Sequence, residues 1–181
     1  MKNLTLIAFL SLFIFGIGSV NAQSVAHVNS NEILQAMPEY KAAQTKLEAE
    51  ANRHRSEVER QTKEMESVYT DAQKQMESVK DKAEAEQRAM MQKLAPVQQD
   101  LQTKQQALSQ YQKTATESLT KMEGELMKPI YDKVEAAITK VGDKKKVGYI
   151  IDMATTVPSG VLLYFKGGTD LTNDVKKELG L

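Results

Sequence analysis

Residues Pro38–Ala83 read PEYKAAQTKLEAEANRHRSEVERQTKEMESVYTDAQKQMESVKDKA, with no glycine and with proline only at the first position. Apolar side chains recur at Tyr40, Ala43, Leu47, Ala51, Val58, Met65, Val68, Ala72, Met76, Val79 and Ala83. The steps are threes, fours or their sums, and the stripe crosses polar residues at His54 and Gln61, so the segment predicts a helix with one narrow apolar seam. Pro38 suits a first-turn position, where its missing N–H costs little, and Glu39 favours the positive end of the helix.

Towards the C-terminus the same pattern resumes beyond Pro96, at Val97, Leu101, Leu108, Tyr111, Ala115, Leu119, Met122, Leu126, Ile130, Val134, Ile138 and Val141. Two amphipathic helices in series bury both stripes most simply by folding back as an antiparallel coiled-coil hairpin. Arms of ~50 residues at 1.5 Å per residue predict a projection of roughly 75 Å. Two signals compete for the fold-back: Asp81 with Glu84 resembles a capping box, whereas Pro96 suits the first turn of a returning helix. Equal arms put the tip near residue 90, so it is expected within 81–96. Pro129 interrupts a pattern that continues on both sides and is the hinge candidate.

The ends of the chain change period. Segments 24–29, 147–152 and 160–165 are β-prone, with a turn expected at Gly167 and Gly168, a helix N-cap at Thr172 and a stop at Gly180. Asn29 to Asn31 can cap a helical turn, and the cluster DKKK at 143–146 suits a helix exit. A body this small excludes water poorly by itself, so association is expected. The fold class is α+β: a long antiparallel helical hairpin (38–141) inserted between short N- and C-terminal β-strands that form a small oligomeric body (23–37 and 142–181). The residues expected to build that body are Val25, Val28, Ile150, Ile151, Val161, Leu162, Leu163 and Tyr164.

The N-terminal MKNLTLIAFLSLFIFGIGSVNAQ has a Lys at position 2, an apolar run from Leu4 to Ile17 and small residues before Gln23, the pattern of a signal peptide over 1–22. The run is shorter than the ~20 residues that span a bilayer. No cysteine is present, so no disulfide or thiolate site is available. With 24 basic and 24 acidic side chains over the whole chain, the charge gives no support to nucleic-acid binding.

Catalytic chemistry has little to draw on. His27 and His54 are the only histidines, without the spacing of a metal pair, and are expected to be a packed strand residue and a polar seam residue. KGGTDLT at 166–172 lacks the spacing of a nucleotide loop and reads as a turn plus a cap. No catalytic, cofactor-binding or metal site is predicted, and no cofactor. The methionines carry more: Met65, Met76, Met90, Met91, Met122 and Met127 all lie in the expected arm, and pliable thioethers suit surfaces that accept many partners. Met65, Met76, Met90, Met91 and Met122 are the client-binding candidates, with the adjacent Met90 and Met91 foremost because both cannot face one seam.

Three segments together, VAHVNSNEILQAMPEYKAAQTKLE (25–48), LMKPIYDKVEAAITKVGDKKKVGYIID (126–152) and GVLLYFKGGTDLTNDVKKELGL (160–181), resemble the Skp (OmpH) family of periplasmic chaperones. The resemblance implies a homotrimer whose β-rich body is shared by three chains, with three helical arms that hold unfolded outer-membrane proteins without ATP. It also implies a periplasmic location and peripheral contact with the membrane or lipopolysaccharide. Better-known members are strongly basic, whereas residues 39–141 here carry 17 basic and 18 acidic side chains. The alternative expectation is an exported coiled-coil spacer or adaptor of the cell envelope; against it stands a seam weakened by Ala, Met, His54, Gln61 and Lys104, where a rigid spacer calls for Leu or Ile.

Overall fold

The computed structural model describes residues 24–164 and 167–181. The chain divides into two units, residues up to Met37 with Asp132–Leu181, and Pro38–Tyr131. The expected signal peptide lies outside the described residues, as does Phe165 at the end of the expected 160–165 strand.

The Pro38–Tyr131 unit is the helical hairpin. Its first helix, α2, runs Pro38–Glu77, with Pro38 opening it as expected; the returning helix, α3, runs Glu84–Lys145. Every seam residue from Tyr40 to Val79 and from Val97 to Ile130 is buried or half-buried except Met76, which is 37% exposed. The hairpin is therefore held by the predicted stripe. Cross-helix pairs fix the register: His54 with Tyr111, Glu64 with Lys104, and Gln75 with Lys93 have their midpoints at residues 82–84.

The fold-back itself occupies 78–83, so it overlaps the expected 81–96 only at its start. Val79 is buried there, and the Gln87 side-chain amide donates to the carbonyls of Lys80 (2.9 Å) and Lys82 (3.0 Å). Gln87 thus supplies the donors that close the turn. Pro96 lies inside α3 and opens nothing. The carbonyl that its ring deprives of a partner belongs to Gln92, which is exposed to water, so an interior proline is tolerated. Pro129 also lies inside α3, and the carbonyl of Glu125 four residues before it is likewise on an exposed residue.

The other unit is built on a three-stranded parallel sheet, β1 (Val25–Val28), β2 (Tyr149–Asp152) and β3 (Thr169–Asp170), in the order β2-β1-β3. β1 is central: Val25 faces Tyr149 and Val28 faces Asp152 on one side, while Ala26 faces Thr169 and His27 faces Asp170 on the other. Around the sheet lie α1 (Ser30–Ala36), α4 (Met153–Thr156) and α5 (Thr172–Glu178). Ala26, Val28, Ile33, Met37, Leu171 and Val175 are at most 1% exposed and form the core, with Val134, Ala137 and Val141 of α3 also buried. Burial of each large apolar side chain contributes about 1.5–3 kcal/mol, so this small core is the main source of cohesion in a unit without disulfides.

Two expectations fail here. Residues 161–164 form no strand, and the third strand is the two-residue Thr169–Asp170. Both edges of β1 are taken by β2 and β3, and Val161 (77%), Leu163 (90%) and Tyr164 (75%) stand exposed. The outer edges of β2 and β3 carry no further strand among the described residues, so the β-prone segment does not pair there. Thr172, expected as the N-cap of α5, is instead its first residue; Leu171 holds the cap position and makes no side-chain cap bond. The Thr172 hydroxyl accepts the Asn29 N–H (3.0 Å), and Asp170 Oδ1 accepts the Thr172 N–H (2.9 Å). A long-range hydrogen bond displaced the local one.

The N-terminal cap is as expected, with the Asn29 side chain accepting from the Glu32 N–H (3.2 Å). Asp152 joins the two ends of the chain. Its Oδ1 accepts from the N–H groups of Ser30 (3.1 Å) and Ala154 (3.0 Å), and its Oδ2 from the hydroxyls of Ser30 (2.6 Å) and Thr155 (3.3 Å). One carboxylate thereby caps α4 and holds the first turn of α1.

α3 ends in a Schellman motif: Val147 N–H bonds the Gly142 carbonyl, Lys146 N–H bonds the Asp143 carbonyl, and Lys146 takes φ 54°. The DKKK cluster does more than complement the helix end, since Lys140 and Lys144 both pair with Glu178, and Lys145 reaches Asp174 at 2.9 Å.

Candidate functional site

In the hairpin unit, the narrow seam leaves an apolar-lined groove open beside it. The exposed positions of α2 are mostly charged or amide residues. These are tied down along the helix: Arg60 donates to Glu57 (2.7 Å) and Glu64 (3.1 Å), and Arg53 to Glu50 (2.9 Å). The Arg60 guanidinium and the Gln61 amide hold the Glu57 carboxyl down at about 2, and Glu57 in turn raises Arg60. Such exposed i,i+3 and i,i+4 pairs add little to a helix, but they satisfy charge within it and leave less for a partner.

His54 sits in the seam as expected, 9% exposed. Its Nδ1 lies 2.8 Å from the Tyr111 hydroxyl and the two rings meet edge to face at 5.6 Å, while its Nε2 stands 3.2 Å from Glu50 Oε1 without a hydrogen bond. A polar pair of this kind, set among Ala and Leu, favours one register of the hairpin over its neighbours. It offers no ligand set: among the described residues no group of three or more His, Asp or Glu side chains could hold a metal. Among the described residues, too, no helix is long and apolar enough to cross a membrane.

The methionines separate into three surroundings. Met65 is half-buried beside Arg60, Glu64 and Lys104, a charged pocket of about 170 Å³. There the Asp100 and Glu64 carboxylates raise the Lys104 ammonium. Met90 and Met122 are half-buried, and Met127 is buried. Met76 and Met91, by contrast, stand 37% and 61% exposed and meet in one groove of about 540 Å³ formed by both helices. Tyr69, Ala72, Leu94 and Val97 line the same groove, with Gln73 and Gln98 at its sides. The sequence could identify Met91 as unable to share a seam with Met90, but the groove partner across the hairpin, and Tyr69 beside it, required the register.

In the other unit the expected body residues scatter. Val28 is buried, Ile150, Ile151 and Leu162 are half-buried, and Val25 joins Val161, Leu163 and Tyr164 on the exposed surface. Ala26, Val25, His27, Ile151 and Leu162 line a pocket of about 360 Å³. The core residues that sequence reasoning missed are Ile33, Met37, Leu171 and Val175. Their signal was present in the i, i+4 spacing of Leu171 and Val175 and of Ile33 and Met37.

A family model described as outer membrane protein (OmpH-like) matches residues 24–179, which takes in the first two segments singled out above and all but the last two residues of the third. No curated protein matches the chain.

Proposed function

The chain belongs to the OmpH-like outer membrane protein family, and on that premise we propose that it is an ATP-independent holdase, which keeps unfolded outer-membrane proteins from aggregating between helical arms. The observation that carries this reading is the family match itself, because it runs across both units and not across a generic helical stretch. The hairpin supports it, with a seam of small and pliable residues and a groove that leaves apolar groups in reach of solvent. Many weak contacts of about 1 kcal/mol accumulate once a client is tethered at high effective concentration, and each opens separately, so release requires no nucleotide.

In this reading the protein works as a homotrimer, and the exposed Val161, Leu163 and Tyr164 support that part. A strand edge or apolar face supplied by neighbouring chains would give them the cover that their own chain lacks. The site is periplasmic, reached through the signal peptide over 1–22, with the balanced arm charge limiting attraction to membrane or lipopolysaccharide to a peripheral contact. Pro129, two residues before the Tyr131/Asp132 division of the chain, is the proposed hinge that lets arms adapt to clients of different bulk.

The test mixes protein lacking residues 1–22 with a urea-unfolded outer-membrane β-barrel protein on dilution, without nucleotide. Light scattering should fall to the level of soluble client at about one trimer per client; unaltered aggregation sinks the holdase. A shortened form lacking 58–108, whose cut ends face each other in the observed register, should keep its oligomeric mass and lose this suppression.

A further inference from the structure

We propose that the groove between Tyr69–Met76 of α2 and Met91–Leu101 of α3 is a docking site for an extended, uncharged, aliphatic and aromatic stretch of unfolded polypeptide. The proposal rests on the holdase reading and names the site within the arm, and the kind of segment, that it requires.

Three observations converge. Large apolar side chains that stand exposed in the hairpin unit are Tyr69, Met76, Met91 and Tyr131, and three of these four line this one groove. A soluble helix pair has no reason to gather its exposed apolar groups unless something covers them. Second, no charged side chain lines the groove, although 35 of the 103 residues from Glu39 to Val141 are charged. An occupant bearing Lys, Arg, Asp or Glu would lose its hydration there and find no counter-charge, whereas an uncharged segment gives up only the hydration of its backbone amides. Lining charge thus selects between occupants, and the neighbouring Met65 pocket, with Arg60, Glu64 and Lys104, is its opposite. Third, the walls mix pliable thioethers with amides: Met76 and Met91 adapt to side chains of different shape, and Gln73 and Gln98 offer donors and acceptors to an extended backbone. Shape tolerance with charge exclusion is the property needed to hold alternating apolar strands of a β-barrel protein before they pair.

The experiment uses the full mature chain and its Met76→Glu/Met91→Glu variant. Both positions are solvent-accessible, so the hairpin should persist, which far-UV circular dichroism checks. Two fluorescent twelve-residue peptides serve as probes, one of alternating Leu, Tyr, Ser and Thr, the other with Glu in place of half of the apolar residues. Anisotropy should show the first peptide binding the wild type at least about tenfold more tightly than either the second peptide or the variant, the loss expected from charging two apolar contacts. Equal binding by wild type and variant, equal binding of both peptides, or no binding of the first at 100-fold excess, overturns the proposal. If the variant instead loses self-association, a second copy is the occupant and the proposal is also overturned. Suppression of client aggregation is measured separately: wild type and variant that suppress equally leave the holdase standing and remove the groove from it, whereas failure of the wild type removes the holdase.

Discussion

Removing the Asp152 carboxylate should loosen the tie between the two ends of the chain. In the structure it accepts two main-chain N–H groups and two hydroxyls, and the Ser30 bonds span 122 residues. A hydrogen bond to a charged acceptor contributes about 1.5–3 kcal/mol, and an N-cap about 1 kcal/mol. Water reaches this part-buried site and replaces some of the lost partners, so Asp152→Ala should cost about 2–4 kcal/mol. Asp152→Asn keeps one acceptor oxygen and should cost about half as much; Ser30→Ala should cost about 1 kcal/mol. Because Ser30 and Asp152 bond directly, the double variant should be more stable than the sum of the singles predicts, with a coupling of up to about 1 kcal/mol. Urea unfolding at fixed protein concentration gives the totals, and hydrogen exchange at the β1 amides localises the loss. If Asp152→Ala stays within about 0.5 kcal/mol of wild type, or if coupling to Ser30 is nil, the carboxylate is not the tie.

Lys146→Gly should stabilise the protein by about 0.5–1 kcal/mol, since a left-handed φ costs an L-residue about 1–2 kcal/mol and glycine returns part of that as chain entropy; a midpoint that falls on heating would contradict it. Gln87→Ala removes both donors that close the 78–83 turn and should cost about 1–2 kcal/mol, read as faster exchange of the Lys82 and Glu86 amides, whereas unchanged exchange would give the turn another cause. Glu178 is held below the usual carboxylate range by Lys140 and Lys144. A lowered acid contributes stability that is present above its unfolded pKa, about 4.3, and is lost as pH falls through the folded value. Glu178→Gln should therefore flatten the acid limb of the stability curve, and an unchanged limb below about pH 4.3 would refute the assignment.

The hairpin was legible because its stripe repeats over dozens of residues, and burial follows that stripe from Tyr40 to Ile130 almost without exception. Its tip was less so. Pro96 carries the strongest local breaker signal, yet register depends on the sum of seam contacts, and that sum is best served by a turn at 78–83 with Gln87 as its clamp. The termini show the opposite failure. Val161 to Tyr164 have strand propensity without a place in the sheet, and Thr169–Asp170, with little propensity, gains its place from the Leu171 N–H to His27 carbonyl bond (2.9 Å) and from the burial of Leu171 and Val175 next to it. Tertiary partners decide strands this short, and no local window contains them. The groove was half legible: methionine usage pointed to the arm, but which methionines meet depends on the register across the turn.

The central position of β1 also sets an order of events. Its partners, β2 and β3, follow it by more than 120 residues, while the hydrogen-bonded cross-helix pairs nearest the turn are 18, 40 and 57 residues apart. Closing the short loops comes first, so the hairpin can zip from its turn while the sheet waits for the last segment of the chain to arrive. A polypeptide cut short before Leu171 and Val175 would then complete the helices but never the unit that β1 anchors. On this order, completion of the final helix is the last step for the unit that β1 anchors.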